Sequence, residues 1–266
     1  MRRATLNAML LAVVIGGISL FSSCKKDDNN NNNTETKTAT VNMHLTDDPG
    51  NYDAVWINIQ KVAVTMEGHS AIELVPIRPG MYDLLRFRNG LDTLLARATV
   101  PAGKVGQIRL ILGEGNSVVV DGQSHPLNTP SAQESGLKLN LKEEFVAGGA
   151  YDVWIDFDAG KSIVLTGNGK YQLKPVIRAY SALTDGRVKG FVLPAAALTT
   201  VYLTNGVDTY AAIPGPDGYF IFTGIPEGTY SVTYDASVTS FQDVTVNNVV
   251  VKYGTTIDLG ITTLLQ

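Results

Sequence analysis

Downstream of Thr38 the chain repeats one pattern: short runs of apolar or β-branched residues set between clusters of Gly, Pro, Asn and Asp. Within several runs the apolar residues alternate with polar ones, which is the period of a half-buried strand. Val41, Met43 and Leu45 alternate with Asn42 and His44, and Val55, Ile57 and Ile59 alternate with Trp56, Asn58 and Gln60. Val62 and Val64 continue on the opposite parity, so a β-bulge is expected near Gln60 and Lys61. Further strands are expected over residues 108–112, 117–120, 137–141, 151–157, 163–165 and 171–179, with Asp121-Gly122 as a hairpin turn. Leu84, Leu85, Leu91, Leu94 and Leu95 show partial helical spacing that Asn89-Gly90 interrupts; a short helix and another strand both remain open there.

A second unit starts near Gly186, where Val188, Gly190 and Val192 open a new series of strands. Five to seven strands within about 80 residues is the spacing of a β-sandwich. The fold class expected is therefore all-β, with two β-sandwich domains at 38–183 and 184–266 and no apolar strand pattern bridging the boundary.

The N-terminal segment differs. Met1, Arg2 and Arg3 precede an apolar run over residues 8–21, followed by Ser22, Ser23 and Cys24. That order is a secretory signal, 1–23. The run would make about 21 Å of helix, too short for the ~30 Å hydrocarbon core. Cys24 is the single cysteine of the chain, so no intrachain disulfide can form. Leu20 to Cys24 resembles the lipobox of bacterial lipoproteins, which implies cleavage before Cys24 and lipidation of its thiol; an ordinary signal with a stray cysteine is the alternative. Residues 24–37 contain five consecutive asparagines and no apolar side chain beyond Cys24, the composition of a disordered tether. Lys25-Lys26-Asp27-Asp28 resembles the acidic signal that sends some lipoproteins to the outer face of the outer membrane, and reads equally as a solvated charge run.

Two stretches resemble known families. Leu45-Thr46-Asp47-Asp48-Pro49-Gly50, Pro101-Ala102-Gly103, Asp156-Phe157-Asp158-Ala159 and Leu173-Lys174-Pro175-Val176-Ile177-Arg178 resemble the domain of unknown function 4382. That resemblance implies a β-sandwich in a secreted or lipid-anchored protein of Gram-negative bacteria and supplies no activity. The Gly-x-Val opening, Asp217-Gly218-Tyr219-Phe220-Ile221-Phe222 and Gly224-Ile225-Pro226-Glu227-Gly228-Thr229-Tyr230 resemble the carboxypeptidase regulatory-like, or transthyretin-like (prealbumin-like), sandwich. This implies a spacer or accessory module, near in fold to carbohydrate-binding sandwiches. Phe220 and Phe222 share one side of their strand and are expected in its core.

Composition narrows the chemistry. Of 266 residues 44% are hydrophobic and 17% charged, enough apolar material for a core. The formal net charge is -4, and loss of Arg2 and Arg3 with the signal leaves 19 basic against 25 acidic residues, or -6. No basic footprint for nucleic acid exists. The three histidines, His44, His69 and His125, stand in no nucleophile-elbow context, and His125 before Pro126 reads as a solvated loop. With one cysteine and three histidines a zinc site lacks ligands, and no glycine-rich loop precedes a helix. No catalytic residue or cofactor is expected, and the chain is not read as an enzyme.

Three constellations remain. Asp47, Asp48 and Asp53 surround a Pro-Gly turn, and Asp156 and Asp158 lie two apart; a calcium ion could use such oxygens, although the turn-forming role of Asp weighs more. Trp56 shares strand parity with Asn58 and Gln60, and Trp154 with Asp152 and Asp156, so both tryptophans fall on polar faces. An aromatic ring among amides and carboxylates is a surface on which a sugar ring can stack. The weightier reading is that the second domain or a long loop covers this side. Asp92-Thr93-Leu94 resembles a bacterial O-glycosylation sequon at Thr93. Together these describe a lipid-anchored outer-membrane protein, facing the cell surface, whose non-catalytic modules bind or present something. A carbohydrate-binding accessory protein and an adhesin or fibre-associated protein are the alternatives, with a glycan or envelope protein as partner.

Overall fold

The computed structural model describes residues 37–48, 50–129 and 135–266. The signal segment, Cys24 and the tether up to residue 36 lie outside the described residues.

The first region contains β1 (Thr38–Asp48), β2 (Ala54–Met66), β3 (Ile72–Leu74), β4 (Gly80–Asp83), β5 (Thr93–Pro101), β6 (Gly103–Leu112) and β7 (Ser117–Val120). It continues with β8 (Gln123–Asn128), β9 (Leu137–Leu139), β10 (Glu144–Phe145), β11 (Ala150–Asp158), β12 (Ile163–Leu165), β13 (Tyr171–Leu173) and β14 (Ile177–Ser181). One helical turn, α1 (Ala159–Ser162), follows β11, and Asp158 caps it by accepting a hydrogen bond from Lys161 N at 2.9 Å. A four-stranded sheet, β14-β11-β1-β5, faces a larger one built on the long strand β2. Alternation along both sheets turns Val41, Met43, Leu45, Val153 and Ile155 toward Val55, Ile57, Ile108 and Leu110, all inaccessible to solvent. Each such side chain contributes roughly 1.5 to 3 kcal/mol of burial.

The bulge in β2 occurs where the parity changes: its register with β6 shifts between Ile59 and Lys61, leaving Gln60 and Lys61 both exposed. Asp121 and Gly122 both adopt positive φ (49° and 71°) and close the β7–β8 hairpin. The leucine-rich stretch resolves into a 3₁₀ turn over Leu84–Phe87, with Leu84 and Leu85 buried, and then strand β5. His125 departs from expectation: it lies in β8, not in a loop, with its ring 5.1 Å from that of Tyr171.

The second region comprises β15 (Gly186–Leu193), β16 (Thr199–Thr204), β17 (Thr209–Ala212), β18 (Tyr219–Ile225), β19 (Gly228–Ala236), β20 (Val244–Val251) and β21 (Thr256–Thr263). The sheets β18-β15-β21 and β17-β16-β19-β20 enclose Val188, Phe220, Phe222, Tyr230, Val232 and Tyr234. Phe220 and Phe222 are buried on one side, as the alternation requires. Asp217-Gly218, a dipeptide that commonly closes hairpins, here carries the chain from β17 in one sheet to β18 in the other and forms a corner. Glycine is required there: Gly218 has φ +83°, and a Cβ would come within 2.3 Å of the Val192 carbonyl oxygen. The chain is all-β, with two separate apolar cores within the compact unit Thr36–Gln266.

Candidate functional site

The richest concentration of polar and aromatic groups lies on the outer face of the β14-β11-β1-β5 sheet, where the second sandwich meets the first. The register places His44 beside Trp154, Thr46 beside Asp156 and Asp48 beside Asp158 across the parallel β1–β11 pair. On the other side of β11, Trp154 faces Tyr180 and Asp156 faces Arg178. Every second residue of three adjacent strands is thus polar or aromatic and points away from the core.

These side chains form a stacked row. The rings of His44 and Trp154 are 5.0 Å apart, and Trp154 lies nearly parallel to Tyr180 at 5.5 Å. The Arg178 guanidinium sits 5.5 Å from the Tyr180 ring and 4.7 Å from that of Tyr210 on β17, close enough for cation–π attraction. Trp154 Nε1–H donates to Asp92 Oδ2 at 2.8 Å, while the two His44 ring nitrogens contact Asp92 at 3.1 Å and Asp152 at 3.4 Å. Asn42 Nδ2 donates to Asp152 Oδ1 at 2.7 Å.

Arg178 joins the two regions. It is ion-paired with the buried Asp156, lies 3.8 Å from Asp48, and donates to the backbone carbonyls of Thr223 (3.0 Å) and Gly224 (2.5 Å) on β18. Tyr180 and Thr223 share a hydroxyl hydrogen bond at 2.9 Å, and the Tyr180 ring occupies the space where a Cβ on Gly224 would stand. Lys161 bridges Asp158 (2.7 Å) and the Thr209 carbonyl (2.6 Å), and Asn89 Nδ2 donates to the Ile213 carbonyl at 3.0 Å. Asp185, buried in the connection, accepts from Gly224 N at 2.7 Å and pairs with Arg187.

Burial governs the electrostatics. Desolvation pushes the carboxyls of Asp47 and Asp48 well above the usual range, and repulsion from Asp156 adds to it. Asp156 is also raised by burial, with Arg178 opposing the shift. The Tyr180 hydroxyl is pushed up by burial, and that of Tyr210 rises to about 12 for the same reason. Asp47 Oδ1 accepts from Ala159 N at 3.0 Å, whereas its Oδ2 is buried without a hydrogen-bond partner among the described residues.

The residues proposed for a ligand platform divide. Asp152, Trp154 and Asp156 share the outer face of β11, but Trp154 is held between His44 and Tyr180, and Asp156 is spent on Arg178. Trp56, Asn58 and Gln60 belong to β2 in the other sheet, so the six do not form one surface. Asn58 donates to the Glu114 carbonyl, and Gln60 donates to Asn58. Of the calcium candidates, Asp47, Asp48, Asp156 and Asp158 converge near Arg178 and Lys161; Asp53 lies apart, accepting from Gly122 N at 2.8 Å in the hairpin turn. Among the described residues no group of three or more His, Cys, Asp or Glu is placed to hold a metal ion. Thr93 is half-buried at the start of β5. Sequence reading missed Arg178, Tyr180 and Tyr210; the signal was the Arg178, Tyr180 spacing, which matches Trp154, Asp156 two residues apart on the paired strand.

The family model for the domain of unknown function DUF4382 matches residues 38–175. The chain belongs to the DUF4382 family. No curated protein matches the sequence. Among solved structures, the TIE protein of Bacillus anthracis is similar at 10% identity and a TM-score of 0.23, covering 86% of this chain and 34% of that one. A leucine-rich repeat protein from Bacteroides thetaiotaomicron is similar at 14% identity and a TM-score of 0.23, covering 86% and 26%. This DUF4382 chain thus spans about a third or less of the length of either. The minor pilin GBS52 of Streptococcus agalactiae is similar at 8% identity and a TM-score of 0.22, covering 86% and 96%.

Proposed function

We propose that this DUF4382 protein is a non-catalytic envelope protein, held to the outer membrane by lipid on Cys24, that presents two β-sandwich modules as one rigid pair at the cell surface. The observation that carries this reading is the Arg178 lock. The side chains that would suit chemistry, Asp48, Asp156, Asp158 and Lys161, are engaged in fixing one sandwich to the other. A buried ion pair of this kind serves geometry more than net stability. The second module is read as a carboxypeptidase regulatory-like spacer that extends the first. The partners in this reading are the membrane, through the N-terminal lipid, and another envelope component.

Labelled palmitate incorporation and protease shaving of intact cells test the anchor. Wild type should label, partition into detergent and be cleaved from outside, while Cys24→Ser should do none of these. Unchanged labelling in Cys24→Ser, or protection of the wild type on intact cells, would overturn the proposal.

A further inference from the structure

The Arg178 lock does not balance the charges around it. Beside it, where the end of β1, α1, β14 and the turn before β17 come together, lies a cavity of about 460 Å³, within the size range of small-molecule sites. Four carboxylates line it, Asp48, Asp156, Asp158 and Asp208, against two cations, Lys161 and Arg178, a formal balance of -2. Asp156 pairs with Arg178, and Asp158 with Lys161. Asp48 reaches Arg178 only at 3.8 Å, and the exposed Asp208 carboxylate takes part in no ion pair among the described residues. Burial raises the Asp48 carboxyl pKa; with Asp48 counted as neutral, Asp208 still leaves the balance at -1.

One acceptor in this cavity is buried and unused. Asp156 is 2% exposed; its Oδ2 meets Arg178, while its Oδ1 has no hydrogen-bond partner among the described residues. A buried carboxylate oxygen in that state costs free energy until a donor reaches it, and the cavity that Asp156 lines gives a donor room to enter. A hard metal ion is a poor fit, because it takes roughly six to eight oxygens and among the described residues no three acidic side chains are placed to hold one. A primary ammonium carries its charge on a compact head whose N–H donors are satisfied by a few acceptors. The remaining wall suits a carbon chain: Val176 and Val207 are 44% and 90% exposed at the cavity, and the Tyr210 ring stands beside them.

We propose that this cavity binds a small aliphatic ammonium compound, its charged head among the Asp48, Asp156 and Asp208 carboxylates and its chain against Val176, Val207 and Tyr210. The head supplies the donor that Asp156 Oδ1 lacks and the positive charge that the lining lacks. It also displaces the proton of Asp48, since an opposite charge nearby favours the ionised carboxyl. The groups facing Asp48 are Asp156 and Asp158 on β11, Lys161 on α1, Arg178 on β14 and Tyr210 on β17, with Asp208 just before it. Binding is therefore weaker in acid, where Asp48 keeps its proton, and tighter as pH rises, while an alkyl ammonium stays charged.

Isothermal titration of the mature chain with 1,5-diaminopentane at low salt tests this. Saturable binding is expected, tightening from about pH 5 to about pH 8, and the uncharged 1,5-pentanediol should give no saturable heat. Proton release from Asp48 should make the apparent enthalpy differ between buffers of different ionisation enthalpy. Asp208→Asn should bind about fivefold more weakly and, as an exposed change, should melt with wild type. Asp48→Asn should bind about tenfold more weakly at pH 8 and lose the buffer dependence. Equal binding of the diol, unchanged affinity in both variants, or no saturable heat at about 10 mM diamine would overturn the proposal. Displacement of the diamine by calcium chloride at equal concentration would overturn it in favour of a metal ion.

Discussion

The two sandwiches solve the same packing problem differently. The first buries mainly aliphatic side chains and leaves one outer face crowded with carboxylates, aromatic rings and Arg178. The second packs Phe220, Phe222, Tyr230 and Tyr234 between its sheets and contributes to the junction largely with backbone, the carbonyls of Thr209, Ile213, Thr223 and Gly224. The dependence is therefore unequal: the first sandwich needs a cover for a buried polar face, whereas the core of the second is closed without its neighbour.

That asymmetry can be broken from either side. Phe222→Ala should have the largest effect, about 3 to 5 kcal/mol, because a fully buried ring leaves a cavity. Calorimetry should then show the second sandwich melting first while the first retains a separate transition; a single unchanged transition would contradict two distinct cores. Arg178→Ala should cost about 3 kcal/mol, since Asp156 would be left buried without its cation. Its signature is a split of a previously joint transition, read by denaturant titration with tryptophan fluorescence from Trp154.

Gly224→Ala sharpens the comparison at one atom. Gly224 has φ +63°, and a Cβ would stand 2.3 Å from Tyr180 Cδ1. About 2 kcal/mol should be lost, and hydrogen exchange should rise over β14 more than within the core of the second sandwich. The smallest effect concerns acid. Asp47 has a raised carboxyl pKa, so the folded state binds its proton more tightly than the unfolded chain does. Its contribution to stability is present below the ordinary Asp value and is lost as pH rises through the raised one. Asp47→Asn should hence stabilise the protein at pH 8 and change little near pH 4, read as the pH dependence of Tm. An unchanged pH profile would mean that Asp47 is not the titrating group.

The strands were largely legible in the sequence because a two-residue period marks a half-buried strand without further information. Val41, Met43 and Leu45 define β1, and the change of parity around Gln60 and Lys61 locates the bulge in β2. What alternation does not encode is the partner. The pairing of β1 with β11 joins Thr40 to Ala150 and Asp48 to Asp158, across more than a hundred residues, and no local pattern specifies it. The same limit explains the site. The polar face of Trp154 and Asp156 could be read from strand parity, but its use depends on Arg178 and Tyr180 of β14 and on Tyr210 and the Thr223 carbonyl, which follow more than fifty residues after β11 begins and pack around the second core. Asp217-Gly218 shows the converse. Its turn chemistry was legible, and only the layering of sheets reveals that it changes layers instead of closing a hairpin.

The parallel ladders at the two ends of the folded chain have a mechanical meaning. The first strand, β1, is paired in parallel with the interior strand β11, and the last, β21, in parallel with β15. Tension drawn from an anchored N-terminus against a load on the C-terminus would run along the axes of these strands, perpendicular to their hydrogen bonds. In the second sandwich the force enters β15 at Gly186 and leaves β21 at Thr263, opposite ends of a parallel pair, so its rungs would be sheared together and not unzipped singly. In the first it enters β1 at Thr38 and leaves the antiparallel β14 at Ser181, toward the same end of the sheet, so the second sandwich would be the stiffer of the two.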